Sequence, residues 1–143
     1  MIRGKVKVLV GGCFDILHYG HIYFLKKAKA FGDYLIVALE SDKGVRKLKG
    51  RNRPIHNQKQ RKEALESLRF VDKVLLLPEM KSYKDYEAVV LNIKPQVMAI
   101  TEGDPKLKYK EYQAKKVGAT LIKIPLIKEL STSKIAKILD IEG

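Results

Sequence analysis

The feature that most constrains this chain is a repeated alternation. Short, almost wholly apolar runs are separated by longer segments with helical periodicity. Residues 5–10 (KVKVLV) alternate and then turn continuously apolar, as a strand buried in a sheet does. Gly11 and Gly12 interrupt this run, and residues 20–31 then place Phe24, Leu25, Ala28 and Phe31 on one helical face. Gly32 and Asp33 stop that helix, and residues 34–39 (YLIVAL) are a second apolar run. Strand, helix and strand in this order call for a parallel pair joined by a right-handed crossover.

The pattern continues to the end. Further strands are predicted at 73–77, 96–100 and 120–124, and further helices at 58–68, 83–92, 108–117 and 132–139. The expected fold is α/β: a Rossmann-like doubly wound parallel sheet of about five strands in three layers. The 143 residues form a single expected domain, 1–143. Residues 40–57 are polar and contain glycine; they read as a long irregular loop, and such loops are functional or mobile.

Composition narrows the classes. Hydrophobic residues are 45% and charged residues 31%, a globular balance. The apolar runs are far too short to span a bilayer, and the start of the chain lacks a signal pattern, so the expected compartment is the cytoplasm, with no membrane partner. Cys13 is the single cysteine, which excludes an internal disulfide and any multi-cysteine metal site. Lys plus Arg number 29 against 16 acidic residues, a formal +13. That field attracts anions, either nucleic acid or small phosphorylated ligands. No aromatic RNA-binding signature, zinc-finger spacing or basic zipper is present.

In a doubly wound fold, ligands bind beyond the carboxyl ends of the strands. The unusual residues fall there. Gly11 and Gly12 let backbone amides approach a ligand. The helix start near Tyr19 or Gly20 directs free amides and a positive dipole end at the same place. His18 and His21, three residues apart, can project together from that start, with Gly20 leaving room for phosphate oxygens. Two imidazoles behind a glycine turn suit a polyphosphate. Each alone reads equally as a partly buried structural histidine or a metal ligand, but no third ligand for zinc is evident nearby. Cys13 reads as a packing residue, and Asp15 as a ligand contact or a loop cap. Lys49 lies between glycines and can fold over a triphosphate, or is one more surface lysine. Arg61 shares an inward face with Leu65 and Leu68, so it needs an anion, from a ligand or from the protein. Ser131, Thr132 and Ser133 open the last predicted helix, as a phosphate site or as a plain cap.

The run from Gly12 to His21 resembles the HxGH signature of the cytidylyltransferase-like nucleotidyltransferases. Its wording, Gly-Cys-Phe-Asp-Ile-Leu-His, is most similar to the adenylyltransferase half of ADP-heptose synthase. It also resembles glycerol-3-phosphate cytidylyltransferase and archaeal FAD synthetase, which more often carry Thr at the Cys13 position. Ser41-Asp42, Leu48-Lys49-Gly50, Arg53-Pro54 and Arg61 follow the heptose adenylyltransferases without a gap, and the similarity continues through Phe70-Val71-Asp72.

The resemblance implies a nucleotidyltransferase. It moves a nucleoside monophosphate from a nucleoside triphosphate, ATP in preference to CTP, to a phosphorylated small molecule such as a sugar or polyol phosphate. Transfer of CMP to glycerol phosphate and transfer of AMP to FMN are the alternatives, and a nucleic-acid-binding domain is the alternative of another class. His18, His21, Lys49 and Arg61 are the implied catalytic residues. Gly11, Gly12, Cys13, Phe14, Asp15, Gly20, Gly103, Asp104, Ser131, Thr132 and Ser133 complete nucleotide binding. Thr101 and Glu102 stand where small residues are usual, and Leu126 where the cytidylyltransferases carry arginine. Mg²⁺ is implied as the companion of the triphosphate, with no identifiable protein ligand. A homodimer through residues 69–72 is also implied.

Overall fold

The computed structural model describes residues 4–126. The predicted final helix, with Ser131, Thr132 and Ser133, lies outside the described residues. Among the described residues ten elements follow in order: β1 (Lys7–Gly12), α1 (Tyr19–Lys29), β2 (Tyr34–Leu39), α2 (Asp42–Lys49), α3 (Gln58–Glu66), β3 (Lys73–Leu76), α4 (Tyr83–Ile93), β4 (Val97–Thr101), α5 (Leu107–Val117) and β5 (Thr120–Ile124). The five strands pair in the order β3-β2-β1-β4-β5, all parallel. The order reverses between β1 and β4, which opens a crevice at their carboxyl ends.

Alternating strand residues face opposite layers. Val8, Val10, Leu35, Val37 and Leu39 pack on one face with Leu25 and Ala28 of α1 and Leu65 of α3. Leu9, Ile36, Ala38 and Met98 pack on the other with Val90 of α4 and Ala114 of α5. The sheet is thus covered on both sides, giving the three layers. No helix among the described residues is long and apolar enough to cross a membrane.

Two expectations need correction. Gly11 and Gly12 do not end the first strand. They continue it, in register with Ala38 and Leu39 of β2. Residues 40–57 are not a continuous irregular loop, because Asp42–Lys49 forms α2. Ser41 caps it, its side chain accepting from the Gly44 N–H at 3.0 Å. Val45 is fully buried beneath it. Gly44 is a packing residue: a Cβ there would lie 2.9 Å from Oε1 of Glu40. Gly50 follows the helix at φ 106°, where glycine is favoured.

Candidate active site

A cavity of about 890 Å³ lies at the crevice, walled by the ends of β1, β2 and β4 and the starts of α1, α4 and α5. Its floor is the turn between β1 and α1. Phe14 (φ 47°) and Ile16 (φ 59°) both adopt left-handed backbone there. Such residues cost on the order of 1–3 kcal/mol each and persist only where neighbours over-determine them. Gly12 is part of that arrangement, since a Cβ on it would sit 2.8 Å from the Phe14 ring.

Between those two residues, Asp15 is buried. Its carboxylate accepts from Arg53 Nε at 2.8 Å and from the backbone N–H groups of Ile55 at 2.7 Å and His56 at 3.0 Å. Burial pushes its carboxyl up, but those two N–H groups and the Arg53 guanidinium outweigh it and hold it below its usual range. Asp15 therefore works as the clasp between the turn and residues 53–56, and it also lines the cavity.

His18 is the N-cap of α1, with Nδ1 accepting from the Gly20 N–H at 3.0 Å. The neutral ring therefore carries its proton on Nε2. His18 and His21 stack, centroids 3.9 Å apart, and Phe14 meets His21 edge-on at 5.4 Å. Burial, then the charges of His18 and Lys49, push the His21 imidazole down to about 3. Burial lowers His18 as well. Near neutral pH both imidazoles are therefore uncharged, each with one ring N–H at this helix start.

Lys49 ends α2, is exposed and lines the cavity. Arg61 is placed differently. Its guanidinium is buried and reaches the protein: Nε donates to His56 O at 3.0 Å, one terminal nitrogen to Cys13 O at 2.8 Å and the other to Asp42 at 2.8 Å. The anion it meets is Asp42, and it joins the turn, α2 and residue 56. Cys13 is half-buried, and burial raises its thiol, which keeps it protonated. Gly11, Gly12, Gly20, Gly103 and Asp104 all line the cavity. Gly103 has φ 85°, and the Asp104 carboxylate accepts from the Lys106 N–H and pairs with Lys110 at 2.7 Å.

Sequence reasoning passed over three cavity residues. Arg53, quoted only as part of a resemblance, is the buried partner of Asp15. Glu40 is buried at the end of β2, and Tyr86 of α4 holds it. An acidic residue directly after a continuous apolar strand was the visible signal for Glu40. Tyr86 carried none, because its partner lies 46 positions earlier.

Comparison with known proteins agrees with this geometry. Residues 9–138 match the cytidylyltransferase-like family. The chain belongs to that family. This cytidylyltransferase-like chain is 41% identical over 140 residues to the bifunctional protein HldE of Wolinella succinogenes, covering 94% of this chain and 27% of that protein. It therefore spans about a quarter of that relative's length. It is 37% identical over 141 residues to the FAD synthase of Thermococcus sibiricus, covering 96% of this chain and 92% of that one. Among solved structures, a lipopolysaccharide core biosynthesis protein from Thermoplasma volcanium superposes with a TM-score of 0.69 at 27% identity, covering 86% of this chain and 97% of that chain.

Proposed function

We propose that this nucleotidyltransferase moves AMP, in preference to CMP, from a nucleoside triphosphate to the phosphate of a sugar or polyol phosphate. One acceptor phosphate oxygen attacks the α-phosphorus. The bond from that phosphorus to the bridging oxygen breaks, and pyrophosphate leaves with the electron pair. The attacking oxygen is already anionic, so positioning and charge stabilisation make up the catalytic task. The observation that carries the reading is the stacked His18–His21 pair on the start of α1, beside Gly11 and Gly12 in the crevice.

Each group has a task. The imidazoles and the α1 amides donate to the non-bridging oxygens. Lys49 approaches from α2 and offsets charge on the leaving pyrophosphate. Arg61 holds the turn and α2 in relation to each other. Ser131, Thr132 and Ser133 are proposed phosphate contacts from sequence alone. The carboxylates of Asp15 and Asp104 are engaged by Arg53 and Lys110. This donor set fits a Mg²⁺ ion carried largely by the triphosphate's own oxygens, where it would offset phosphate charge. The gap-free run from Ser41 to Arg61 supports AMP over CMP. Action in the cytoplasm and a homodimer through residues 69–72 belong to the same proposal.

A second reading, transfer of AMP to FMN, rests on specific observations. The FAD synthase relative is covered over 92% of its length. Tyr83 and Tyr109, both at the cavity, also stack 3.6 Å apart and are exposed, as a flat ring would need. A screen of pyrophosphate release decides among these readings, with ATP or CTP against a sugar phosphate, glycerol phosphate and FMN. The proposal expects ATP with a sugar or polyol phosphate to be fastest. Release fastest with CTP and glycerol phosphate, or with ATP and FMN, would replace it.

A further inference from the structure

The transfer just described uses donors and cations, yet the cavity also holds a buried carboxylate that it does not use. Glu40 follows β2 directly and is only 7% exposed. Its N–H donates to Gly12 O at 3.0 Å, which sets it one strand away from the phosphate turn. Two independent features fix its side chain. The Tyr86 hydroxyl lies 3.0 and 2.9 Å from its two oxygens. Gly44 provides the space, since a Cβ there would come within 2.9 Å of Oε1.

A carboxylate in this position repels phosphate and attracts uncharged hydrogen-bond donors. Its two oxygens offer about four lone-pair sites, and a single tyrosine hydroxyl supplies one proton. Leaving the others unmet in a buried place is costly, so a ligand that brings hydroxyl groups is favoured there. Tyr86 remains a donor because burial, then Glu40 itself, raises its hydroxyl above the usual range. Burial also raises the Glu40 carboxyl, the mark of a group whose charge is incompletely compensated.

We propose that Glu40, oriented by Tyr86, selects the acceptor by accepting hydrogen bonds from the hydroxyl groups of its carbon chain. This rests on the nucleotidyl transfer proposed above. It makes Glu40 a specificity residue for polyhydroxylated phosphates, while His18 and His21 take the phosphates. Vicinal hydroxyls could reach Glu40 from a sugar phosphate, from the ribityl chain of a flavin phosphate or from the ribose of the triphosphate. The acceptor's carbon chain is the source assigned here.

The test is the rate of pyrophosphate release by the parent, E40Q, Y86F and G44A. The acceptors are a sugar phosphate, deoxy analogues of it and FMN, each with ATP and with 2′-deoxy-ATP. E40Q should raise the KM for the sugar phosphate about tenfold, the scale of one hydrogen bond to a charged group, with the triphosphate KM moving less than about twofold. One deoxy analogue should show the same KM with the parent and E40Q, which identifies the hydroxyl being read. G44A favours helix and should fold, yet it displaces the carboxylate, so it should reproduce the E40Q change. Y86F should give a smaller change in the same direction.

Equal acceptor KM values in an active parent and all three variants would overturn the role of Glu40 and leave the transfer reading standing. A loss that follows the 2′-hydroxyl of the triphosphate would assign Glu40 to the nucleotide instead. A loss seen only with FMN would assign it to the flavin chain and overturn the sugar-phosphate arm. No pyrophosphate from the parent with any phosphorylated acceptor would sink the transfer reading, and this inference with it.

Discussion

The segments that leave β1 and β2 have the same topological duty, a strand end leading into a helix at the crevice, but they are built oppositely. The turn after β1 is over-determined by buried polar contacts. Asp15 accepts from Arg53 and from the Ile55 and His56 N–H groups, His18 caps α1, and Arg61 grips Cys13 O. Two left-handed residues are held in place by that network. The helix after β2 is eight residues long and buries only Gly44 and Val45 of its own length. Arg46, Lys47 and Lys49 are exposed on it, and Lys43 and Lys47 reach Glu79 at 3.9 and 3.4 Å. Pairs that exposed contribute little. Under the proposed transfer, the difference separates two functions: a preorganised cradle that fixes donors, and a lightly anchored carrier that brings positive charge to the phosphates.

Arg61 joins the two regions, so removing it is the strongest way to break the comparison. Arg61→Ala leaves Asp42, Cys13 O and His56 O without their shared partner. Asp42 is 41% exposed, so water takes over much of that pairing, and the loss comes mainly from the two carbonyls left unmet, about 1–3 kcal/mol. Chemical denaturation should show a loss of that size, with turnover falling as the fold loosens. Parental stability with abolished turnover would return Arg61 to direct contact with substrate.

The cradle itself is tested by His21→Ala. It should lower turnover by roughly 10²- to 10³-fold, as removal of one preorganised donor does. Lys49→Ala should cost less, roughly 10-fold, because a cation on a surface helix is partly replaced by its neighbours. Steady-state kinetics at saturating triphosphate compares the two directly. A larger loss at Lys49 than at His21 would reverse the division of labour.

How much of this was legible depends on which forces hold each piece. β2 and β5 have the bounds that their sequence patterns predict: β2 is a continuous buried run, and β5 is a partly exposed edge strand that buries Ile124. The α2 sequence DKGVRKLK escaped recognition. It is short, strongly charged and carries a glycine, so its apolar face is reduced to Val45 and Leu48, and its stability comes from the Ser41 cap and the packing of Val45. The histidines were legible as a local motif with a local geometry. The Asp15–Arg53 pair was not, because its partners lie 38 positions apart and only the folded chain brings them together. The same holds for Arg61, whose inward position was readable while its choice of Asp42 over a ligand was not.

The pH dependence of stability sharpens the picture of the cradle. His21 takes up a proton near 6.5 when unfolded and only near 3 when folded. Its folded pKa is depressed, so its contribution is complete above about 6.5 and is lost as pH falls toward 3. His18, lowered by burial, acts in the same direction. Thermal melts from pH 7 to pH 4 should show a decline that His21→Gln flattens. An unchanged slope in that variant would mean that the imidazole is not held neutral.

The smallest expected effect concerns α2. Amide exchange across Asp42–Lys49 should slow when ATP and Mg²⁺ are added, while the already rigid turn after β1 changes less. Equal exchange in α2 with and without nucleotide would make it a fixed wall, and Lys49 would lose its role in closure.

The central claim is transfer rather than binding or hydrolysis, and product stoichiometry tests it most directly. With ATP, Mg²⁺ and a sugar or polyol phosphate, the protein should release one pyrophosphate for each acceptor converted to its adenylylated form, and none when the acceptor is omitted. Release of pyrophosphate without acceptor, or acceptor left unmodified while ATP is consumed, would contradict the account.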